Sequence, residues 1–122
     1  MVIHMNGGGY ILKPIAKISS AEIEGMCSFF KVMSDPTRLR ILTELMDGKL
    51  CVMHISERVG MSQSAISHQL AVLRKADLVK MTRNGKTAVY SISDEHVRLM
   101  LDMAMLHIEE NIGVGGHGHI SH

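Results

Sequence analysis

The stretch SQSAISHQLAVLRKADLVKMTRNGKTAVYSI, residues 62–92, decides the fold of this 122-residue chain. Its first half predicts a helix over residues 63–76. The apolar residues Ile66, Leu70 and Leu73 recur there at helical spacing and are expected to form the buried stripe of that helix. Its second half contains two β-prone runs around an Asn-Gly pair, the strongest short signal for a β-hairpin.

The residues just before this stretch predict another helix. It covers about 52–59, and residues 60–62 (GMS) form a tight break, with Ser62 as N-cap of the next helix. Two short helices joined by a short glycine-containing turn form a helix-turn-helix. A hairpin directly after them, with Arg83 and Lys86 flanking its tip, predicts a wing whose cations contact phosphates. The predicted fold is mainly α with a small β-hairpin wing, a winged helix-turn-helix.

Two further helices are predicted upstream. Ser19 and Glu22 form a capping box for the first, and Asp35 as N-cap with Pro36 behind it starts the second. The residues expected to be buried are Ile23, Met26, Phe30 and Met33 on the first helix and Leu39, Leu42, Leu45 and Met46 on the second.

The length of the chain fits one domain. We expect an N-terminal arm over 1–18, a folded DNA-binding and dimerisation domain over 19–112, and a Gly/His-rich tail over 113–122. The tail contains His117, His119 and His122; it is either a loose Ni(II)- or Zn(II)-collecting segment or a disordered end.

The two cysteines, Cys27 and Cys51, have no paired spacing, and no apolar signal segment precedes them. A reduced, cytoplasmic protein is therefore expected, with both thiols as small buried hydrophobic groups. No run approaches the roughly 18 apolar residues that span a bilayer, so a membrane is not an expected partner.

Charge is unevenly distributed along the chain, although the formal net charge is only +1. Residues 62–87 carry five basic residues against Asp77 alone, a local net charge of +4. Residues 88–112 carry five acidic residues against Arg98 alone, a local net charge of −4. Each block is also consistent with a solvated face. Together they fit a surface that binds a polyanion, coupled to one that binds a cation.

The exposed N-terminal part of the helix over 63–76 is the predicted reading head, because that end of a recognition helix usually meets base edges. A glutamine pairs bidentately with adenine, whereas serine is unselective. For Ser67 and Gln69 a plain solvent-facing role is equally consistent. The candidate contacts to double-stranded DNA are Gln63, Ser64, Ser67 and His68 on the helix and Arg83 and Lys86 on the wing.

The segment FFKVMSDPTRLRILTELMDGKLCVMHISERVGMSQSAISHQLAVLRKADLVKMTRNGKTAVYSI resembles the ArsR/SmtB family of metal-sensing repressors. The resemblance covers about Phe29 to Asn111, and its specific motifs are DPTRLRIL, SQSAISHQLAVLRKADLV and RNGKTAVYS. It implies a homodimer, joined through the N- and C-terminal helices, that represses a promoter by binding operator DNA. It also implies that bound metal releases the DNA; the residues alone would equally allow a co-repressor.

The last predicted helix, within SISDEHVRLMLDMAMLHIEENI (91–112), carries candidate metal ligands at both ends. His96 and His107 are 11 residues apart, about three turns, so they project from nearly the same face, about 16 Å apart. A zinc ion holds its ligand atoms at about 2 Å, so one ion cannot use both ends. The ends meet only if a second copy of the helix lies antiparallel beside the first.

A two-fold dimer supplies that arrangement. Asp94 and His96 of one protomer would face His107 and Glu110 of the other, provided that Asp94 lies at the helix start. Two imidazoles and two carboxylates favour Zn(II), with Co(II) or Ni(II) as alternatives. The same residues match, position by position, the D-x-H and H-x-x-E pattern of the C-terminal-helix zinc site of the family. Taken singly, each is equally an N-cap or a surface residue.

The family has another metal site at the start of the helix over 52–59. Some members carry Cys-Val-Cys there, and this chain has Met53 in place of the second cysteine, which argues against a soft thiolate site. Cys51 and His54 could still hold zinc together with His4 or another group of the arm, or Cys51 is simply a buried hydrophobic residue.

Two other functions fit the sequence. One is a metal-independent DNA-binding regulator under redox or ligand control. The other is a zinc-buffering protein that uses the histidine tail. A hydrolytic zinc enzyme is disfavoured, because four protein ligands leave no open position for water.

Overall fold

The computed structural model describes residues 17–112 and the backbone of residues 3–4 and 11–12. In chain order the elements are β1 (Ile3–His4), β2 (Ile11–Leu12), α1 (Ser20–Met33), α2 (Pro36–Leu45), β3 (Leu50–Cys51), α3 (Val52–Val59), α4 (Gln63–Lys75), β4 (Val79–Asn84), β5 (Thr87–Ile92) and α5 (Glu95–Ile112). Strands β1 and β2 pair antiparallel, and a second antiparallel sheet has the order β3-β5-β4. The predicted winged helix-turn-helix is confirmed. Within the described residues, no helix is long and apolar enough to cross a bilayer.

The predicted helix starts are confirmed by their capping bonds. The backbone N–H of Glu22 donates to Ser19 Oγ at 3.1 Å, and Glu22 Oε1 accepts from the Ser19 N–H at 3.0 Å. Asp35 and Ser62 each accept a hydrogen bond from the backbone three residues later, at 3.0 and 3.1 Å. Gly60 ends α3 in the left-handed conformation, at φ +79°, so glycine is needed where the helix-turn-helix bends.

The core lies between α2, α3, α4 and the sheet, with the first part of α5 closing it. The stripe predicted for α4 is confirmed, since Ile66, Leu70 and Leu73 are fully buried. The other buried apolar residues are Ile41, Leu42, Leu45, Ile55, Leu78, Val79, Ile92, Val97 and Leu101. This core holds the recognition helix against the base of the wing.

Leu42→Ala is expected to lower the free energy of unfolding by about 2–5 kcal/mol, because Leu42 is fully buried and truncation leaves a cavity. Met53→Ala, at a residue that is 48% exposed, should change it by only about 0.5 kcal/mol. Urea unfolding of both variants at one fixed protein concentration measures the difference. Equal losses would contradict this assignment of the core.

The burial predicted for α1 is mostly wrong within a single chain. Ile23, Met26 and Phe30 are 48%, 49% and 52% exposed, and α1 has no fully buried residue. The prediction is borne out in part at Met33, which is partly buried against the core together with two residues that were not predicted, Phe29 and Val32. Cys27 is also exposed, against expectation. A single chain covers only one side of α1. The apolar stripe of this helix, formed by Ile23, Met26 and Phe30, therefore faces outward.

The burial predicted for α2 is correct at Leu42 and Leu45. It is wrong at Leu39, which is 38% exposed beside α5. Met46 follows the helix as its C-cap and is partly buried. As for α1, the reason is that a single chain covers only one side of Leu39.

The wing is a hairpin of two six-residue strands, β4 and β5, in which Asn84 pairs with Thr87. The turn itself is Gly85-Lys86, one residue later than the Asn-Gly signal suggested. Gly85 has φ +67°, which suits a two-residue hairpin turn with glycine first. Strand β3 was not predicted; it is two residues long, too short to show alternation, and pairs with β5 through Leu50 and Tyr90.

Candidate DNA-binding surface and metal-binding half-sites

The predicted reading head occupies the first two turns of α4. Gln63, Ser64, Ser67 and His68 are all exposed there, while the opposite face of the helix enters the core. The positive end of the helix dipole lies at the same place, which favours an approaching polyanion. The structure therefore brings these four residues together, as the sequence predicted.

The predicted wing residues lie at the hairpin tip, where Arg83 and Lys86 are exposed. Arg83 Nη1 donates to the Lys86 carbonyl at 3.4 Å. A guanidinium has five N–H donors, so the remaining ones stay available for phosphate oxygens.

A residue that sequence reasoning missed braces the recognition helix. The side chain of Arg38, 22% exposed, donates from Nε to Gln69 Oε1 at 3.1 Å. Its Nη1 donates to the carbonyl of Val32, in the last turn of α1, at 3.0 Å. Gln69 is thus bound to the scaffold and does not face solvent freely. Two charge-assisted hydrogen bonds from Arg38, on α2, therefore join this helix to α1 and to α4.

The first candidate metal half-site lies where α5 begins. Helix α5 starts at Glu95, and Asp94 Oδ1 accepts from the backbone N–H of Val97 at 3.0 Å, so Asp94 is at the helix start, as predicted. His96 Nδ1 is 3.7 Å from Asp94 Oδ1. Both side chains are exposed, at 78% for His96 and 55% for Asp94. The carboxylate and the imidazole, both candidate metal ligands, therefore lie close together although they are two residues apart in the chain.

The second half-site lies in the last turns of α5. His107 and Glu110 are exposed and lie three residues apart, on neighbouring positions of one helix face. His107 Nε2 is 3.1 Å from Asn111 Nδ2, so this ring already has a polar partner. Among the described residues of one chain, no three His, Cys, Asp or Glu side chains are placed so that they could hold one metal ion.

The weaker candidate site is partly assembled. Cys51 Sγ is 3.5 Å from His54 Nδ1, and Cys51 is half-buried rather than buried. These two residues line an open pocket of about 480 Å³ with Thr87 and Ala88 of the wing. The side chain of His4 and the histidines of the tail lie outside the described residues.

Hydrogen bonds connect the first candidate half-site to the segments that follow α4 and α2. Ser93, directly before Asp94, donates from Oγ to the carbonyl of Asp77 at 2.5 Å, and its N–H donates to Leu78 at 3.1 Å. Arg98, one turn into α5, donates to the carbonyl of Met46 at 2.6 Å. These bonds connect the start of α5 to the segments that follow α4 and α2.

Comparison with known proteins agrees with this geometry. The family model "Bacterial regulatory protein, arsR family" matches residues 35–81. The HTH-type transcriptional regulator NmtR of Mycobacterium tuberculosis is 43% identical over 97 residues, 80% of this chain and 81% of the relative. The chain belongs to the arsR family.

Other relatives of this ArsR-family chain are similar over most of their length. The transcriptional repressor SmtB homolog of Synechocystis sp. is 36% identical over 94 residues, 77% of the chain and 71% of the relative. The crystal structure of the AntR antimony-specific transcriptional repressor matches with a TM-score of 0.68 and 38% identity, over 81% of this chain and 94% of that one. ArsR-family proteins are DNA-binding transcriptional regulators, and this one is not an enzyme.

Proposed function

We propose that this ArsR-family protein is a zinc-responsive repressor. Its metal-free homodimer binds operator DNA, and Zn(II) bound between two paired α5 helices releases that DNA. The observation that carries the proposal is the placement of two incomplete ligand pairs at opposite ends of α5. In the metal-free dimer the two recognition helices would lie about 34 Å apart, one turn of the DNA duplex.

The exposed apolar surface of α5 supports the dimer. Only Val97 and Leu101 of this 18-residue helix are buried, and Met103, Leu106 and Ile108 are 62%, 51% and 43% exposed. Together with the outward stripe of α1, this leaves an apolar surface that water would cover in a monomer. A second copy of the chain would remove both helices from water.

The ligand pairs support a shared metal site. Asp94 with His96, and His107 with Glu110, each offer two donors, whereas a structural zinc site takes four. In an antiparallel pair of α5 helices each end would supply half of a site, so the dimer would hold two ions. Mixed imidazole and carboxylate donors favour Zn(II), with Co(II) or Ni(II) as alternatives.

The bonds around Ser93 support a route from metal to DNA. A zinc ion that draws Asp94 and His96 toward the partner helix would pull on Ser93, which is bonded to Asp77 and Leu78 directly after α4. A displacement at this joint would change the spacing of the two recognition helices. By linkage, DNA must then weaken zinc binding by the same factor as zinc weakens DNA binding.

Asp94→Asn separates the capping role of this residue from its proposed ligand role. Asparagine caps helices about as well as aspartate, so the melting temperature without metal should stay close to that of the wild type. Zinc affinity, measured by competition with a chelator, should fall by more than the roughly 10- to 100-fold cost of losing an outer-shell partner.

The wild type should bind two zinc ions tightly per dimer in the same titration. Asp102→Asn is the matched control, because Asp102 is exposed on the same helix but belongs to neither pair. Unchanged zinc affinity in Asp94→Asn would rule out this residue as a ligand.

A further inference from the structure

A basic cleft separates the recognition helix from the wing. It has a volume of about 420 Å³ and opens between α4 and the middle of β5. Its lining residues are Ser67, Leu70, Ala71, Arg74, Lys75 and Tyr90. None of these is acidic, and within the described part of the chain neither Arg74 nor Lys75 forms an ion pair. Two basic residues and two hydroxyl-bearing residues therefore line one open space.

The geometry of duplex DNA directs a backbone strand to this cleft. A helix in the major groove and a wing beside it contact adjacent grooves, and a single sugar-phosphate strand separates any two adjacent grooves. That strand has to pass between α4 and the wing. The cleft is more than ten times the roughly 30 Å³ that one water occupies in the liquid, so a hydrated phosphodiester fits.

We infer that the cleft binds a backbone phosphate of duplex DNA. Arg74 and Lys75 supply the positive charge, and the hydroxyl groups of Ser67 and Tyr90 supply hydrogen-bond donors. The contact positions the recognition helix and carries no base preference. This inference rests on the DNA-binding part of the proposed function and adds three residues, Arg74, Lys75 and Tyr90, to the predicted interface.

A purely structural role for the two cations makes a different prediction. Arg74 and Lys75 lie in the last turn of α4, where positive charge stabilises a helix through its dipole. If that were their only role, removing either charge would lower the melting temperature slightly. The salt dependence of DNA binding would stay the same.

Salt dependence of binding to a labelled 30-bp duplex of mixed sequence tests the inference, because a phosphate contact needs no operator sequence. The zinc-free protein is titrated between 50 and 200 mM salt. In Arg74→Ala, and separately in Lys75→Ala, the slope of log K against log salt should become shallower by about 0.9 for each phosphate that the variant no longer neutralises. A dimer that binds with both heads leaves two phosphates without their cation, which gives about 1.8. Arg74→Lys should retain the wild-type slope, since it keeps the charge.

Arg40→Ala is the matched control, because Arg40 is an exposed arginine on α2, outside the cleft and the wing. Its slope should equal that of the wild type, and circular dichroism establishes that every variant is folded. An unchanged slope in Arg74→Ala and Lys75→Ala, or an equal change in Arg40→Ala, overturns the inference while leaving the proposed function intact. A wild-type protein with no salt-sensitive duplex affinity overturns both.

Discussion

His107→Ala is expected to bind operator DNA as tightly as the wild type and to remain bound when zinc is added. The side chain is exposed at the far end of α5 from the core, so its loss should not disturb the fold or the reading head. To empty an operator from 99% to 1% occupancy, zinc must weaken wild-type binding by about 10⁴-fold, or roughly 5.5 kcal/mol. In the variant we expect zinc to change DNA affinity by less than about threefold, or under roughly 0.7 kcal/mol.

Fluorescence anisotropy with and without Zn(II) measures this change, using an operator selected by the zinc-free protein from a random-sequence pool. Glu110→Gln should behave like His107→Ala, whereas the adjacent Glu109→Gln should release DNA normally. Equal release by the wild type and His107→Ala would place the switch outside α5, with Cys51 and His54 as the next pair to test.

Met26→Glu is expected to dissociate the dimer. Met26 is 49% exposed on the outward stripe of α1, so the substitution leaves the core of a single chain unchanged. In a dimer that covers this stripe, an unpaired carboxylate would lose its hydration without compensation. Sedimentation velocity should show a monomer, and operator affinity should fall by about 10²- to 10⁴-fold, because the second half-site is no longer linked to the first.

Met53→Glu provides a closely matched control, because Met53 is 48% exposed but lies on α3, away from α1 and α5. It should remain dimeric. The Met26→Glu monomer should also lose tight zinc binding, since the two ligand pairs of each site then lie on separate molecules. A Met26→Glu protein that stays dimeric would show that the interface does not include the α1 stripe.

Local features of the fold could be predicted because each signal lies within a few residues. Caps at Ser19, Asp35 and Ser62 satisfy backbone N–H groups three residues away, and all three are present in the structure. The α4 stripe and the wing hairpin also depend on short spacings. The separation of His96 and His107 follows from helical rise alone, although their role as zinc ligands stays a prediction.

Tertiary structure decided what depends on residues far apart in the chain. Arg38 and Gln69 are 31 positions apart, and no local pattern links them. Ser67 and Tyr90 line the same cleft only because tertiary packing places α4 next to the wing sheet. The outward stripe of α1 has the same spacing as a buried one, so only packing distinguishes them.

The sequence by itself therefore determined the helix starts, the hairpin and the placement of two candidate ligand pairs at opposite ends of one helix. These features follow from backbone geometry over a few turns. Only the tertiary structure decided which apolar faces one chain covers and which polar groups meet across elements. The physical reason is that burial and cross-element hydrogen bonds depend on packing between distant segments, which spacing along one segment does not specify.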